Sequence, residues 1–480
     1  MTEPHVAVIG GGVSGLAAAY RLRKLLGPLA TITVVEQTDR VGGKLRTIEL
    51  GGRSYDVGAE AFLARRGEAT ELITELGMAG DLVHPTSASA TVRAGGRINR
   101  LPGHTFQGVP ASAEAVRGVL SDAAVARVAH EPGLPPVHLD GEDIAVGKLL
   151  RERFGPEVTN RLVDPLLGGV YAGHADGLSL RATMAPLAGA LDRGAGSLVS
   201  AAASLVPAPP QPGVPRPPVF GTLRDGLGSL TDRLAKASDA TIEYGRPVRK
   251  LSRREAGWTV EFGDHALDVD GVVLAVPAPA AAKLLADVAP VAAAAFGGIE
   301  LASMAVIALV LPADVALPEN SGVLIAGDDR WADGSPFTAK AFTYSGRKWA
   351  HLGGDDTLVI RGSVGKAGEV AALQVDDEDL IRAVRADLAE LTGITTAPID
   401  AVVTRWGGGL PQYGVGHLSR VTTIETAVAD LPGLAVAGAS LHGVGVPACI
   451  ATSQAAAARV AAHLLGRHRG SGGTMGAWPA

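Results

Sequence analysis

The stretch His5–Glu36, HVAVIGGGVSGLAAAYRLRKLLGPLATITVVE, decides the fold of this chain. Its opening HVAVIG is an apolar β-type run that stops in glycines. Val13–Leu26 continues with Ala and Leu at helical spacing and basic residues in its last turns, and TITVVE (31–36) returns to a strand pattern. Strand, glycine turn, helix and strand in this order make a βαβ unit. Within the turn, Gly10, Gly12 and Gly15 form G-x-G-x-x-G. The first permits a tight turn, the second lets backbone amides approach a pyrophosphate, and the third allows close helix–strand packing. The amides of Val13 and Ser14 then open the helix, where its positive end meets phosphate charge. Glu36 ends the second strand at the spacing that reaches ribose hydroxyls, and an acid there favours an unphosphorylated ribose. The unit is read as a dinucleotide site, with FAD and NAD both open.

The rest of the chain bounds the answer. Its 480 residues imply roughly two to four domains. A net charge of −6 argues against a nucleic-acid partner. The single cysteine, Cys449, excludes an intramolecular disulfide and a cysteine-rich zinc site, and suits a reducing compartment. MTEPHVAVIGGG lacks the basic flank and long apolar run of a secretory signal, and no stretch of about 20 apolar residues occurs. A cytoplasmic protein is expected, with peripheral membrane contact left open. The Pro-rich segment 206–219 reads as a linker. A dinucleotide fold split by insertions follows: 1–85, 220–290 and 400–466 for the nucleotide domain, 86–205 for a helical insertion, 291–399 for a second domain, and 467–480 for a flexible tail.

Directly after Glu36 stands Gln37-Thr-Asp-Arg-Val-Gly-Gly-Lys-Leu-Arg46. It resembles the E-x-x-x-R-x-G-G-[K/R] stretch of the FAD-dependent amine oxidase and porphyrinogen oxidase superfamily. The resemblance implies that Glu36, Gln37, Arg40, Gly42, Gly43 and Lys44 lie along the FAD. Two cations offset phosphate charge, and a Gly-Gly step lets backbone approach a flat ring. GGRSYDVGA (51–59) is similar to the segment under the isoalloxazine, which adds Gly58, Ala59 and Glu60; Val248 is expected on the cofactor as well. VGAEAFLARR (57–66), DPLLGGVYAG (164–173), RWGGGLPQYGVGH (405–417) and GASLHGVGVPACI (438–450) look like signatures of the protoporphyrinogen and coproporphyrinogen oxidases. The likeness runs from about residue 5 to about 465.

What the resemblance implies is an α/β fold: a Rossmann-like FAD-binding domain of the amine oxidase and glutathione reductase type, a substrate-binding α+β domain and a mainly helical insertion. The implied activity, in haem biosynthesis, is a six-electron oxidation of coproporphyrinogen III, or alternatively protoporphyrinogen IX, by non-covalent FAD and oxygen with hydrogen peroxide as by-product. An amine oxidase or a catalytically silent flavoprotein partner of haem enzymes is the weaker reading. Handover to a ferrochelatase is plausible, as a monomer or homodimer. A porphyrinogen is an apolar disc edged by propionates, so its pocket needs aliphatic walls and a few cations. Leu166, Gly168 and Gly169, with Leu167 and Val170 between and beside them, are the expected wall; Arg65, Arg66, Arg361 and, more weakly, Lys340 are the expected propionate contacts. Relatives with an arginine after an L-P-T-G-like turn differ from this chain, which has Leu101-Pro-Gly-His-Thr105. Trp406 is expected near the flavin and His417 as a structural histidine. No side-chain base is assigned.

LAVAGASLHGVGVPACIATS (434–453) reads as strand, turn and a helix beginning at Pro447, where a missing N–H costs nothing. The backbones of Gly438, Gly445 and Val446 are expected to cradle the flavin, and Cys449 to be a small buried hydrophobe.

Overall fold

In the computed structural model, which describes residues 3–207, 217–354 and 356–470, five parallel strands form a sheet in the order Thr241–Glu243, Thr31–Val35, His5–Ile9, Gly271–Leu274, Leu434–Val436. The linker expected at 206–219 and the tail at 467–480 lie mostly outside the described residues. Val6–Ile9 pair with Ile32–Val35 on one side and with Gly271–Leu274 on the other. Successive side chains alternate faces. Val6 and Val8 therefore pack under the helices Val13–Leu26 and Val446–Gly470, while Ala7 and Ile9 join Trp258, Leu285 and Ile424 on the opposite side. Helices on both faces explain why the strand is continuously apolar.

The second sheet has seven strands in the order Asp400–Pro411, Leu301–Pro312, Thr357–Val364, Ala339–Tyr344, Gly322–Ile325, Thr91–Ala94, Arg97–Arg100. The long helix Asp377–Thr392 covers one face through Leu380, Val384 and Leu388, which meet Ile307, Phe342 and Ile360. The other face receives the hairpin Thr47–Leu50/Arg53–Asp56, where Tyr55 and Val57 pack on Ala308, Val310 and Val359. Two groupings made on sequence change at this level. The sequence puts 91–94 and 97–100 in the helical insertion 86–205 and 400–411 in the nucleotide domain; all three strands belong to the seven-stranded sheet. Short alternating strands carry no mark of which sheet they join, since backbone pairing is decided across the chain. The helices between 122 and 205 enclose a separate core around Phe154, Leu162, Leu187 and Leu198.

Candidate functional site

The glycine loop is built by exclusion of side chains. A Cβ on Gly15 would stand 1.8 Å from Gly10 O, and one on Gly10 would stand 2.5 Å from Ala275 O. Gly12 and Gly43 face each other, with a Cβ on Gly43 only 3.2 Å from Gly12 Cα, and Gly42 N donates to Gly11 O at 2.8 Å. The two glycine segments thus close one cradle. Buried Glu36 locks it, accepting from Gly11 N at 2.7 Å and from Thr38 N and Oγ1 at 2.9 and 2.8 Å. Three accepted bonds leave about one lone-pair site for a ribose hydroxyl. Arg40 braces the loop from outside, donating to Val41 O and Gly43 O, and Gln37 is exposed. Val13 and buried Ser14 open the helix. Beside Val248 lies an open cleft of about 530 Å³ that Pro277, Lys283, Leu301 and Gly408 also line.

Lys44 is brought in by the same loop and has no carboxylate partner among the described residues; burial lowers its pKa. Its carbonyl accepts from Ala59 N at 3.0 Å, and Gly58 leaves room for Trp406, whose ring carbon Cζ2 would be 3.2 Å from a Cβ there. Trp406 Nε1 donates to Val57 O at 2.9 Å. Arg361 donates to Asp56 O at 2.8 Å and Gly58 O at 2.6 Å, so its guanidinium holds the 56–58 backbone. Glu60 pairs with Lys348; burial pulls its pKa up, but the Lys348 and Arg361 charges outweigh burial and hold it below the ordinary carboxylate value.

The C-terminal turn is pinned from behind by the 412–417 loop. Tyr413 Oη donates to Ala439 O at 2.6 Å and accepts from Gly443 N at 2.8 Å, while His417 Nε2 donates to Leu441 O at 2.9 Å. The two rings stack with centroids 3.8 Å apart. Gly438 sits 3.7 Å, by its Cβ position, from Ser14 Oγ, which places the turn against the first glycine loop. The helix starts at Val446, one residue before the proline, and Gly445 O accepts from Cys449 N. Cys449 is buried where the two helices cross, and burial raises its thiol pKa against the weaker pull of Ser14 and Lys44.

A second polar cluster lies by the helix Asp164–Tyr171. Asp164 accepts from Lys366 Nζ at 2.9 Å and Ala175 N at 2.8 Å, and faces His174. Burial pulls Asp164 upward, yet these partners hold it well below the usual carboxylate range. His174, bound to Asp164 and then to Glu369, is pushed up to about 9. Lys340 donates to Gly365 O at 2.8 Å; burial first, then the Lys366 and Arg361 charges, bring it down to about 7. Of the expected wall, Leu166 is half-buried, Gly168 lies against the Lys366 side chain, Gly169 opens outward, Leu167 is core and Val170 is exposed. Arg65 and Arg66 are exposed; Arg66 pairs with Glu68 at 2.8 Å and lies at the edge of the C-terminal turn near Gly443. The structure therefore gathers Lys340 with Arg361, while Arg66 is engaged by Glu68. Sequence reading missed Lys366, Asp164 and His174. Their signal was present in DPLLGGVYAGH and GKAGE, but partners some 200 positions apart meet only in the fold.

These residues fit FAD. The Gly12–Gly43 cradle is one a Cβ would fill, two helix N-termini converge on it, and a desolvated lysine without a carboxylate stands beside it. Residues 13–461 match the family described as flavin containing amine oxidoreductase. The chain is 42% identical to the coproporphyrinogen III oxidase of Mycobacterium leprae, covering 94% of this chain and 97% of that protein. It is 32% identical to the coproporphyrinogen III oxidase of Bacillus subtilis, covering 96% and 99%. Among solved structures, that of a candidate protoporphyrinogen oxidase from Exiguobacterium superposes with a TM-score of 0.84 at 28% identity, covering 96% and 99%. With the cradle, the paired helix ends and these full-length likenesses in agreement, the chain belongs to the flavin containing amine oxidoreductase family and is an FAD-dependent oxidoreductase.

Proposed function

We infer that this protein oxidises coproporphyrinogen III to coproporphyrin III in haem biosynthesis. The observation that carries the choice of substrate is the likeness to the Mycobacterium leprae enzyme along nearly the whole of both chains. When bound, FAD supplies the acceptor for a hydride leaving a methylene bridge, and oxygen restores it with hydrogen peroxide as by-product. Three such rounds convert porphyrinogen to porphyrin.

The chain's own residues bind, orient and exclude water. Gly10, Gly12, Val13, Ser14, Gly15, Arg40, Gly42 and Gly43 would hold the pyrophosphate, Glu36 and Gln37 the ribose, and Val248 the adenosine side of the cleft. Lys44, Gly58, Ala59, Glu60 and Trp406 would flank the flavin. Gly438, Gly445 and Val446 would present the helix end to its pyrimidine side, favouring negative charge there by about 0.3–2 kcal/mol. Leu166, Gly168 and Gly169 would meet the macrocycle face, and Arg65 and Arg66 its propionates. Arg361 would act indirectly, by fixing the 56–58 backbone. The nucleotide, sheet and helical units of the division given above would carry these roles, in the cytoplasm, with any membrane contact peripheral and product passed to a ferrochelatase. No described helix is long and apolar enough to cross a membrane.

The test is porphyrin fluorescence formed from coproporphyrinogen III and protoporphyrinogen IX side by side at matched concentration. Faster appearance of coproporphyrin is expected. A clear preference for protoporphyrinogen would replace the substrate, and failure to reduce the bound flavin with either would end the oxidase reading.

A further inference from the structure

The sheet face turned away from helix Asp377–Thr392 gathers three cations. Phe342, Ile360 and Val364 point into the core under that helix, so Arg361 lies on the opposite face, where it reaches Asp56 and Gly58. Ala339 pairs with Val364 and Ala341 with Ser363, which leaves Lys340 as the extra residue of a β-bulge. Bulges re-aim a side chain out of the strict alternation and are frequent beside active sites. Here the bulge sends Lys340 toward Gly365 and into the surroundings of Arg361, Lys366 and Glu369.

The three cations are not equivalent. Arg361 is bound to two carbonyls, and Lys366 is paired with Asp164 against Gly168 of the expected substrate wall. Among the described residues, Lys340 makes no ion pair. Its one hydrogen bond is to a carbonyl, two like charges flank it, and the nearby anion, Glu369, is shared with His174, behind which stands Asp164. Such a setting favours the neutral amine, which has a lone pair and still donates to Gly365.

We propose that Lys340 Nζ is the acceptor for the proton that leaves the macrocycle in each two-electron round. This rests on the porphyrinogen oxidase reading. In each round a methylene C–H bond breaks and both its electrons leave as hydride to FAD. A proton leaves as well, from a pyrrole N–H in two of the three rounds and from the remaining methylene bridge in the other; its electron pair stays on the ring to complete the new double bond, and the proton forms an N–H bond on Lys340. The ammonium is then relieved by passing the proton toward Glu369, whose side chain is 57% exposed. A lysine lowered by burial and like charge is a recognised form of general base.

The experiment compares FAD-loaded wild type, Lys340→Met and Lys340→Arg. Expected are normal FAD content, KM for coproporphyrinogen within about twofold, and kcat lower by on the order of 10²-fold in both variants, with the acid limb of the kcat–pH profile removed. A direct readout without substrate is the ¹³C resonance of reductively dimethylated lysine in the resting holoenzyme. One signal, absent from Lys340→Arg, should titrate near pH 7. A midpoint near the ordinary lysine value of about 10.4 overturns the proposal. So does unchanged kcat, or a raised KM in Lys340→Met that Lys340→Arg restores, which would mark a propionate contact. If wild type oxidises no porphyrinogen, the functional reading falls and takes the proposal with it; if only the Lys340 arms fail, that reading stands.

Discussion

Burial raises the Cys449 thiol because a thiolate there would lose its water, and Ser14 and Lys44 offset this only in part. The thiol is therefore held as SH, filling space where two helices cross. Cys449→Ala is expected to keep FAD and activity at a stability cost of about 1 kcal/mol, and the native protein should not react with a thiol reagent. Rapid modification, or loss of flavin in the alanine variant, would contradict this. Tyr413 is a different case, since its hydroxyl serves two backbone groups of one turn. Tyr413→Phe strands the Gly443 amide and the Ala439 carbonyl. A loss of about 1–3 kcal/mol in urea unfolding is expected, together with weaker FAD retention on dialysis. His417 is fully buried beneath Tyr413, and burial lowers its pKa, so it stays neutral while it holds Leu441.

Between elements, the cluster of Lys366, Asp164, His174 and Glu369 joins helix Asp164–Tyr171 to the segment after strand Thr357–Val364. Ala367 N reinforces it by donating to Ala172 O at 2.7 Å. The sign of its pH dependence follows from His174. Its folded pKa is raised from 6.5 to about 9, so the stabilisation is complete below pH 6.5 and vanishes as pH climbs through 9. The imidazole is 41% exposed, so solvent screening reduces the effect to about 1 kcal/mol. Urea unfolding should show His174→Gln less stable than wild type by that amount at pH 6, with the gap closed by pH 9.5. A gap that persists or widens with pH would refute the ion-pair account.

Across the whole molecule, the 56–60 segment ties the large sheet to the nucleotide unit. Asp56 binds Leu227 N at the start of the helix Gly228–Ser238, while Arg361 and Trp406 of the large sheet hold its backbone. FAD bound along this seam would stabilise the fold by mass action, by about 2.7 kcal/mol at a free concentration of 100 Kd. Calorimetry with and without added FAD should show the rise in Tm. Glu36→Ala, which frees the Gly11 amide and the glycine loop, should greatly reduce it. An equal rise in the variant would mean that the loop does not bind the cofactor.

The nucleotide unit was legible because its causes are local. Gly15 is demanded by Gly10 O within one βαβ unit, although Gly10 and Gly12 also answer to Ala275 and Gly43 outside it, and the helix after LAVAG starts one residue from where Pro447 suggested. By itself the sequence determined the dinucleotide loop, the flavin family through its spaced motifs, and the burial of a lone cysteine beside a helix start. Tertiary structure alone decided which cations are free to act. Arg361 reads from sequence as a lone cation awaiting a propionate, yet it is bound to carbonyls 303 and 305 positions away. Lys366, unremarked in the sequence, pairs with Asp164 across 202 positions. Lys340 is set apart by a bulge that depends on its partner strand. A charge's role is fixed by its desolvation and its neighbours, and both exist only once distant segments have packed.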